Sequence, residues 1–328
     1  MSPVQAAAPA AFARQVDAYL GYSRALGVGY EGVERILRQL GRHLAQQGAP
    51  DLSAQLYESW RRSRQWLHAN SRRKEEQTVR RFCLYRRRSQ PQFFVPSSDS
   101  IPRRRPYTRP VIVEPEQIAR MLAAADRLRG RDNSPLHAAV GRIATVLLYT
   151  SGLRSGELLR LMVEDLEDAG SVLRIVEAKF HKSRLVPLSE TAQMQVRRYL
   201  KHRALFTPDS PERGPFLCNR YGGSVRPYSA SGLHRLIDRL FRAANVRNHE
   251  GRAPRVHDLR HSFAVQSLIR SYRCQGDPQT WLPKLAMYMG HVSIVSTMHY
   301  LTLVPAVASL AMIRFKAGFG NKILGEQS

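Results

Sequence analysis

The chain has 328 residues, 43% of them hydrophobic, and its 51 Lys and Arg against 26 Asp and Glu give a formal charge of +25. That apolar share excludes wholesale disorder, and the length accommodates two domains at roughly 100–200 residues each. So large a positive excess calls for a polyanionic partner, with nucleic acid ahead of a membrane surface.

Residues from about 11 to 90 read as helices. DAYLGYSRALG places Tyr19, Leu20 and Leu26 at helical intervals, and Val33, Ile36, Leu37, Leu40 and Leu44 form a stripe of period 3.6. Asp51 or Ser53 is placed to cap a third helix ending at Trp60, and Ser71 a fourth ending near Tyr85. Between Arg61 and Arg105 there are fourteen Arg and Lys against Glu75, Glu76 and Asp99. PSSDSIPRRRPYTRP, about 96–110, has the Pro, Ser and charge content of an extended, solvated linker, and of a basic strap along DNA. The domains expected are 1–100 and 112–328, joined by a basic linker at 101–111.

Past the linker, VEPEQIARMLAAADRL opens a helix with Glu114 and Glu116 at its positive end. HAAVGRIATVLLYTSG is apolar enough for a buried helix, and GLRSGELLRLMVEDL follows the Gly152 break. SVLRIVEA and SRLVPL flank KFHK as the strands of a hairpin. Helices follow at SETAQMQVRRYLKHRAL with a Ser189 cap, SASGLHRLIDRLFRAANV, HDLRHSFAVQSLIRSY and LPKLAMYMGH. The fold class is therefore α+β, mainly α with a small antiparallel sheet. Trp60, Trp66 and Trp281 are expected to pack rather than stack on bases.

Cys83, Cys218 and Cys274 are odd in number and widely spaced, against a disulfide framework or a CxxC zinc module and in keeping with a reducing compartment. The first residues lack an apolar leader core, and no run of 18 apolar residues occurs. A cytoplasmic protein without a membrane partner is expected.

In HDLRHS, His257 and Arg260 lie three apart and share a helix face, able to present an imidazole and a guanidinium to one phosphate. His257 and His261 with Asp258 between them also resemble an HExxH zinc helix, but with Asp at the catalytic position. In TSGLRSGELLRL, Gly152 permits a sharp turn, Arg154 begins a helix, and Glu157 stands one turn on to orient it. Attack on a phosphodiester needs an activated hydroxyl, cations on the non-bridging oxygens and a proton donor for the leaving oxygen. Candidates for each stand in order: Arg154, Lys179, His257, Arg260, His291 and Tyr300, with no cofactor and no metal required.

TSGLRSGELLRL, AKFHKSRLVPL, HDLRHSFA, MGHVS and Tyr300 resemble the successive boxes of the tyrosine recombinase (phage integrase) family over about 112–305. The resemblance implies a C-shaped, two-domain DNA clamp with a helical core-binding domain ahead of the catalytic one. It implies site-specific recombination of double-stranded DNA through a 3′-phosphotyrosine, without metal or ATP, by a tetramer in the bacterial cytoplasm and nucleoid. Tyr300 would be the nucleophile, Arg154 and Arg260 the clamp on the phosphate, and His257 the base. His291 would bond the scissile phosphate, and Lys179 would protonate the leaving 5′-oxygen. The family's Gly-Lys-Gly hairpin is here Ala178-Lys179-Phe180, which makes Lys182 a second candidate acid, and RSYRCQGDPQTWLPK lengthens the loop before His291. LVPAVASLAMIRFKAGFG, after Tyr300, is a candidate arm for docking on a neighbour or folding back on its own domain. The alternatives are a non-cleaving DNA-binding accessory protein and a type IB topoisomerase-like enzyme. Without a further N-terminal arm-binding domain, the chain fits the simpler recombinases and transposon enzymes.

Overall fold

The computed structural model describes residues 9–26, 31–103, 109–128, 135–178, 182–207, 212–221, 224–248, 250–274 and 278–290. It divides into two compact units, Met1–Thr108 and Arg109–Ser328.

The first unit is four helices: α1 (Ala10–Ala25), α2 (Glu31–Gln46), α3 (Ala54–Arg62) and α4 (Ala69–Arg87). Phe12, Val16 and Leu20 repeat every four residues on α1 and meet Ile36, Leu37, Leu40 and Leu44 of α2. Tyr57 and Trp60 of α3 and Val79, Phe82 and Cys83 of α4 complete the core. Leu26, expected on the apolar stripe, is 61% exposed just past the end of α1. Ser53 caps α3, its hydroxyl accepting from Leu56 N. His68 rather than Ser71 caps α4, with its ring accepting from Asn70 N.

Two further expectations for this unit fail. Trp60 packs against Tyr57, but Trp66, in the turn after α3, is 75% exposed. Nor is 96–103 a solvated linker: Arg80 donates to Pro96 O, Arg61 to Ser100 O and Arg73 to Pro102 O, so three guanidiniums tie it to α3 and α4. Extended backbone offers unpaired carbonyls, and arginine's forked donors satisfy them better than water at a half-buried surface. Other arginines turn inward to carboxylates. Arg61 meets Glu76, Arg64 meets Glu75, and the buried Arg86 meets Asp51 while lying over the Phe93 ring.

The second unit is built around α6 (His137–Thr150), whose residues from Val140 to Leu148 are nearly all buried apolar or small. Around it lie α5 (Pro115–Asp126), α8 (Glu190–Ala204), α9 (Ala230–Ala243) and α10 (Val256–Arg273). Ser189 and Ser229 cap α8 and α9 through their hydroxyls. The short helix α7 (Ser155–Arg160) stops sooner than GLRSGELLRLMVEDL implied. Beyond it Phe216 N donates to Leu161 O and Val163 N to Gly214 O, so a cross-chain pairing takes the groups that a continued helix would use. The expected hairpin is β2 (Val172–Ala178) with β3 (Lys182–Pro187), antiparallel, with Leu173 opposite Val186 and Ile175 opposite Arg184. Two features escaped the sequence: the two-residue β1 (Leu166–Glu167) on the edge of β2, and a second hairpin of β4 (Cys218–Tyr221) with β5 (Ser224–Pro227). The helix α11 (Pro278–Met289) packs on α10 through Leu282, Leu285 and Met289, while its Trp281 is 40% exposed, against the packing expected of it.

Candidate active site

Three segments bring arginines to one side chain, Glu157. The turn before α7 brings Arg154, whose backbone N donates to Glu157 Oε2 (2.9 Å) and whose Nη1 donates to Oε1 (2.6 Å). Gly152 makes that turn at φ +59°, and a Cβ there would lie 2.4 Å from the Phe263 ring, so glycine alone fits. Strand β3 brings Arg184, whose Nη1 and Nη2 grip the same carboxylate at 3.1 and 2.9 Å. Helix α10 brings Arg260, 2% exposed, with Nη1 3.9 Å from Glu157 Oε2.

The end of α11 closes the cluster from the other side. A helix C-terminus leaves carbonyls unpaired and negative, and here three in succession each receive an arginine. Arg184 Nε donates to Tyr288 O (2.9 Å), Arg260 Nη2 to Met289 O (2.6 Å) and Arg154 Nη2 to Gly290 O (2.8 Å). Arg260 Nη1 also donates to Gly152 O, joining α10 to the turn. Three guanidiniums against one carboxylate leave a net +2 on the cluster, a field that favours an anion beside it.

Glu157 is 3% exposed. Burial alone would raise its pKa, but the Arg184 hydrogen bonds and the Arg154 backbone N–H outweigh that and bring it down to about 2. Because the folded value lies below the ordinary 4.5, the stabilisation is complete above that pH and is lost as pH falls from about 4.5 to about 2. Glu157→Gln should therefore cost ~3 kcal/mol at pH 7, and the wild-type advantage should shrink through that window. Urea midpoints of both proteins across pH 2–7 measure it; a constant gap would mean that the carboxylate's charge is not the stabilising element.

His257, in the first turn of α10, keeps an exposed face, yet partial burial and then the Arg260 guanidinium lower its pKa. Its ring meets His261 edge-to-face, with centroids 4.7 Å apart. Burial and then His257 bring His261 down to about 4. Both shifts favour the neutral imidazole, the form a proton acceptor needs. Asp258, the second letter of the zinc-helix reading, is buried and committed to capping: it accepts from Arg255 N and Nη2 and from Val111 N. A carboxylate so held is not placed to act as a metalloprotease base. Among the described residues no three His, Cys, Asp or Glu side chains cluster as metal ligands, and no helix is long and apolar enough to cross a membrane.

Arg154, His257 and Arg260 thus come together. Lys179, His291 and Tyr300 lie outside the described residues, and Lys182 is described only in its backbone, opposite Ala178. Arg184, readable from sequence only as a phosphate contact or a solvated strand residue, is instead an inward-facing member of the cluster. Its alternation with buried Val186 carried the signal, since residues two apart share a strand face. Two surface cavities, of about 210 and 450 Å³, share no lining residue with the cluster.

Residues 112–306 match the phage integrase family. The chain is similar to the putative integrase/recombinase y4rB of Sinorhizobium fredii, 31% identical over 93% of this chain and 97% of that one. It is also similar to tyrosine recombinase XerD of Caulobacter vibrioides, 30% identical over 58% of this chain and 57% of that one. Among solved structures, a Tn1549 transposon integrase in complex with transposon right end DNA aligns with TM-score 0.59 at 17% identity, over 92% of this chain and 98% of that one. XerH site-specific recombinase bound to palindromic difH substrate aligns with TM-score 0.58 at 16% identity, over 85% and 78%. With its family match covering the whole arginine cluster, the chain belongs to the phage integrase family and is an enzyme of the tyrosine recombinase type.

Proposed function

We propose that this recombinase cuts and reseals double-stranded DNA at specific sites through a 3′-phosphotyrosine on Tyr300, without metal or ATP. The observation that carries the reading is the gathering of Arg154 and Arg260 on one buried carboxylate with His257 beside them. A tyrosine hydroxyl with a pKa near ~10 is a poor nucleophile at neutral pH and needs a base and adjacent cations. His257 takes the Tyr300 proton as the phenolic oxygen attacks phosphorus. Arg154, a quarter exposed, turns its remaining N–H donors toward the non-bridging oxygens, and Arg260 adds charge behind it. His291 bonds the same phosphate, and Lys179 protonates the 5′-oxygen as its bond to phosphorus breaks. Resealing reverses these steps, and the ester held on Tyr300 conserves the energy that ATP would otherwise supply.

On this reading residues 1–100 grip the core site, 101–111 link, and 112–328 catalyse. Four protomers assemble at the nucleoid, with the segment after Tyr300 docking on a neighbour. The test uses duplexes recovered by sequencing DNA that the protein traps covalently. Labelled pairs of these sites, incubated in excess EDTA, should yield recombined strands. Relaxed plasmid without exchange would identify a topoisomerase, binding without cleavage an accessory protein, and activity restored only by added zinc or magnesium a metal-dependent reaction.

A further inference from the structure

We propose that Arg184 is a positioning residue for strand transfer: it latches the end of α11, and with it the start of the segment bearing His291 and Tyr300, onto the arginine cluster. This role rests on the strand-transfer reading above. The side chain is 11% exposed, and all three of its nitrogens are committed: Nη1 and Nη2 to Glu157, Nε to Tyr288 O. One planar fork thereby ties strand β3, helix α7 and the end of α11 together.

Gly290 completes the latch. It adopts φ +66°, and a Cβ there would sit 2.9 Å from Arg184 Nη1 and 3.2 Å from Cζ. The backbone can therefore close over the guanidinium only where no side chain intervenes. His291 is the next residue in the chain, so the direction in which backbone leaves Gly290 sets where that imidazole starts. Arg154 and Arg260 bond the neighbouring carbonyls, but their assigned work is on the phosphate. Arg184 alone of the three faces Glu157 with both terminal nitrogens, and it is the one to which the reading above gives no work on the phosphate. Lysine cannot reproduce this geometry, because a single ammonium does not span a carboxylate and a carbonyl held at different edges of one planar fork.

Arg184 also lies on β3 two residues after Lys182, so it could act instead through the hairpin lysines. The two routes separate on the leaving group. A misplaced nucleophile segment slows attack whatever leaves, whereas a misplaced acid matters only when the departing atom needs a proton. Wild-type, Arg184→Gln, Arg184→Lys and Lys179→Ala proteins are therefore mixed in single-turnover reactions with saturating nicked duplex from the covalent trap. One set carries an ordinary phosphodiester and the other 5′-bridging sulfur. Arg184→Gln should bind DNA within about threefold of wild type and form adduct about 100-fold more slowly, with Arg184→Lys at least about tenfold slower. Sulfur should rescue neither, while rescuing Lys179→Ala. Circular dichroism melts establish folding, and the lysine variant decides the matter where the glutamine variant does not fold. Adduct at the wild-type rate from either folded variant, or full rescue by sulfur, overturns the role. Wild-type protein that forms no adduct on any duplex overturns strand transfer itself, and this role with it.

Discussion

Tyr300→Phe is expected to abolish covalent attachment to DNA, leaving no shifted band on denaturing gels, while the dissociation constant stays within about twofold of wild type. In the proposed reaction the phenolic oxygen becomes the ester, so nothing in the variant could replace it; removing an essential nucleophile costs on the order of 10⁶-fold. Binding barely changes because a contact with a polyanion is dominated by cations, and one hydroxyl among them contributes little. A shifted band from the Phe protein would show that another hydroxyl attacks. Tyr149 and Tyr288 are poor substitutes, since burial pushes each up to about 12 and favours the phenol over the phenolate. An adduct mapped by peptide sequencing to either would overturn the assignment.

Lys179→Ala is expected to slow cleavage of ordinary DNA by ~10²–10⁴-fold, the usual contribution of a general acid. An alkoxide leaves badly without a proton. A thiolate leaves well, because its conjugate acid is far stronger, so 5′-bridging sulfur should restore most of the Lys179→Ala rate. The same substitution should do nothing for Arg154→Ala, whose missing charge is needed on the phosphoryl oxygens whichever atom departs. Lys182→Ala belongs in the same series, because both lysines come from one hairpin. Rescue of Lys182→Ala but not of Lys179→Ala would move the acid three residues along. Rescue of neither would remove the hairpin from proton transfer.

The parts of the chain legible in sequence are those where local chemistry and tertiary packing agree. Ser53, Ser189 and Ser229 announce helices because their hydroxyls pair an orphan N–H whatever lies beyond. The β2–β3 hairpin shows through because two short runs rich in Val, Leu and Ile flank the polar KFHK. The second hairpin does not. Its strands have four residues each, β5 is exposed throughout, and only Gly222-Gly223 between them marks a turn. In the site, Arg154, His257 and Arg260 were nominated together from spacing and resemblance, with Glu157 to orient Arg154, and the structure brings these four side chains together. The partnership of Glu157 with Arg184 was not, because 27 residues separate them and no local period joins them. The three carbonyls at the end of α11 are invisible in principle, since every residue carries one and only the fold decides which stay unpaired.

The inward-turned arginines of the first unit also bear on how tightly the protein holds DNA at different ionic strengths. Each phosphate neutralised by a side chain releases condensed counterions, and the salt dependence of affinity counts those releases rather than the formal charge. If all fourteen basic residues between Arg61 and Arg105 met phosphate, their share of the log–log slope would approach about −13, at ~0.9 per contact. Arg61, Arg64 and Arg86 already face carboxylates, which leaves eleven (14 − 3) and a ceiling near −10. Arg73 and Arg80 keep their charge but are fixed in direction by the carbonyls they hold, so they can meet only a backbone that passes where they point. Part of this positive surface is therefore scaffold, and a salt titration would report the smaller number that faces the duplex.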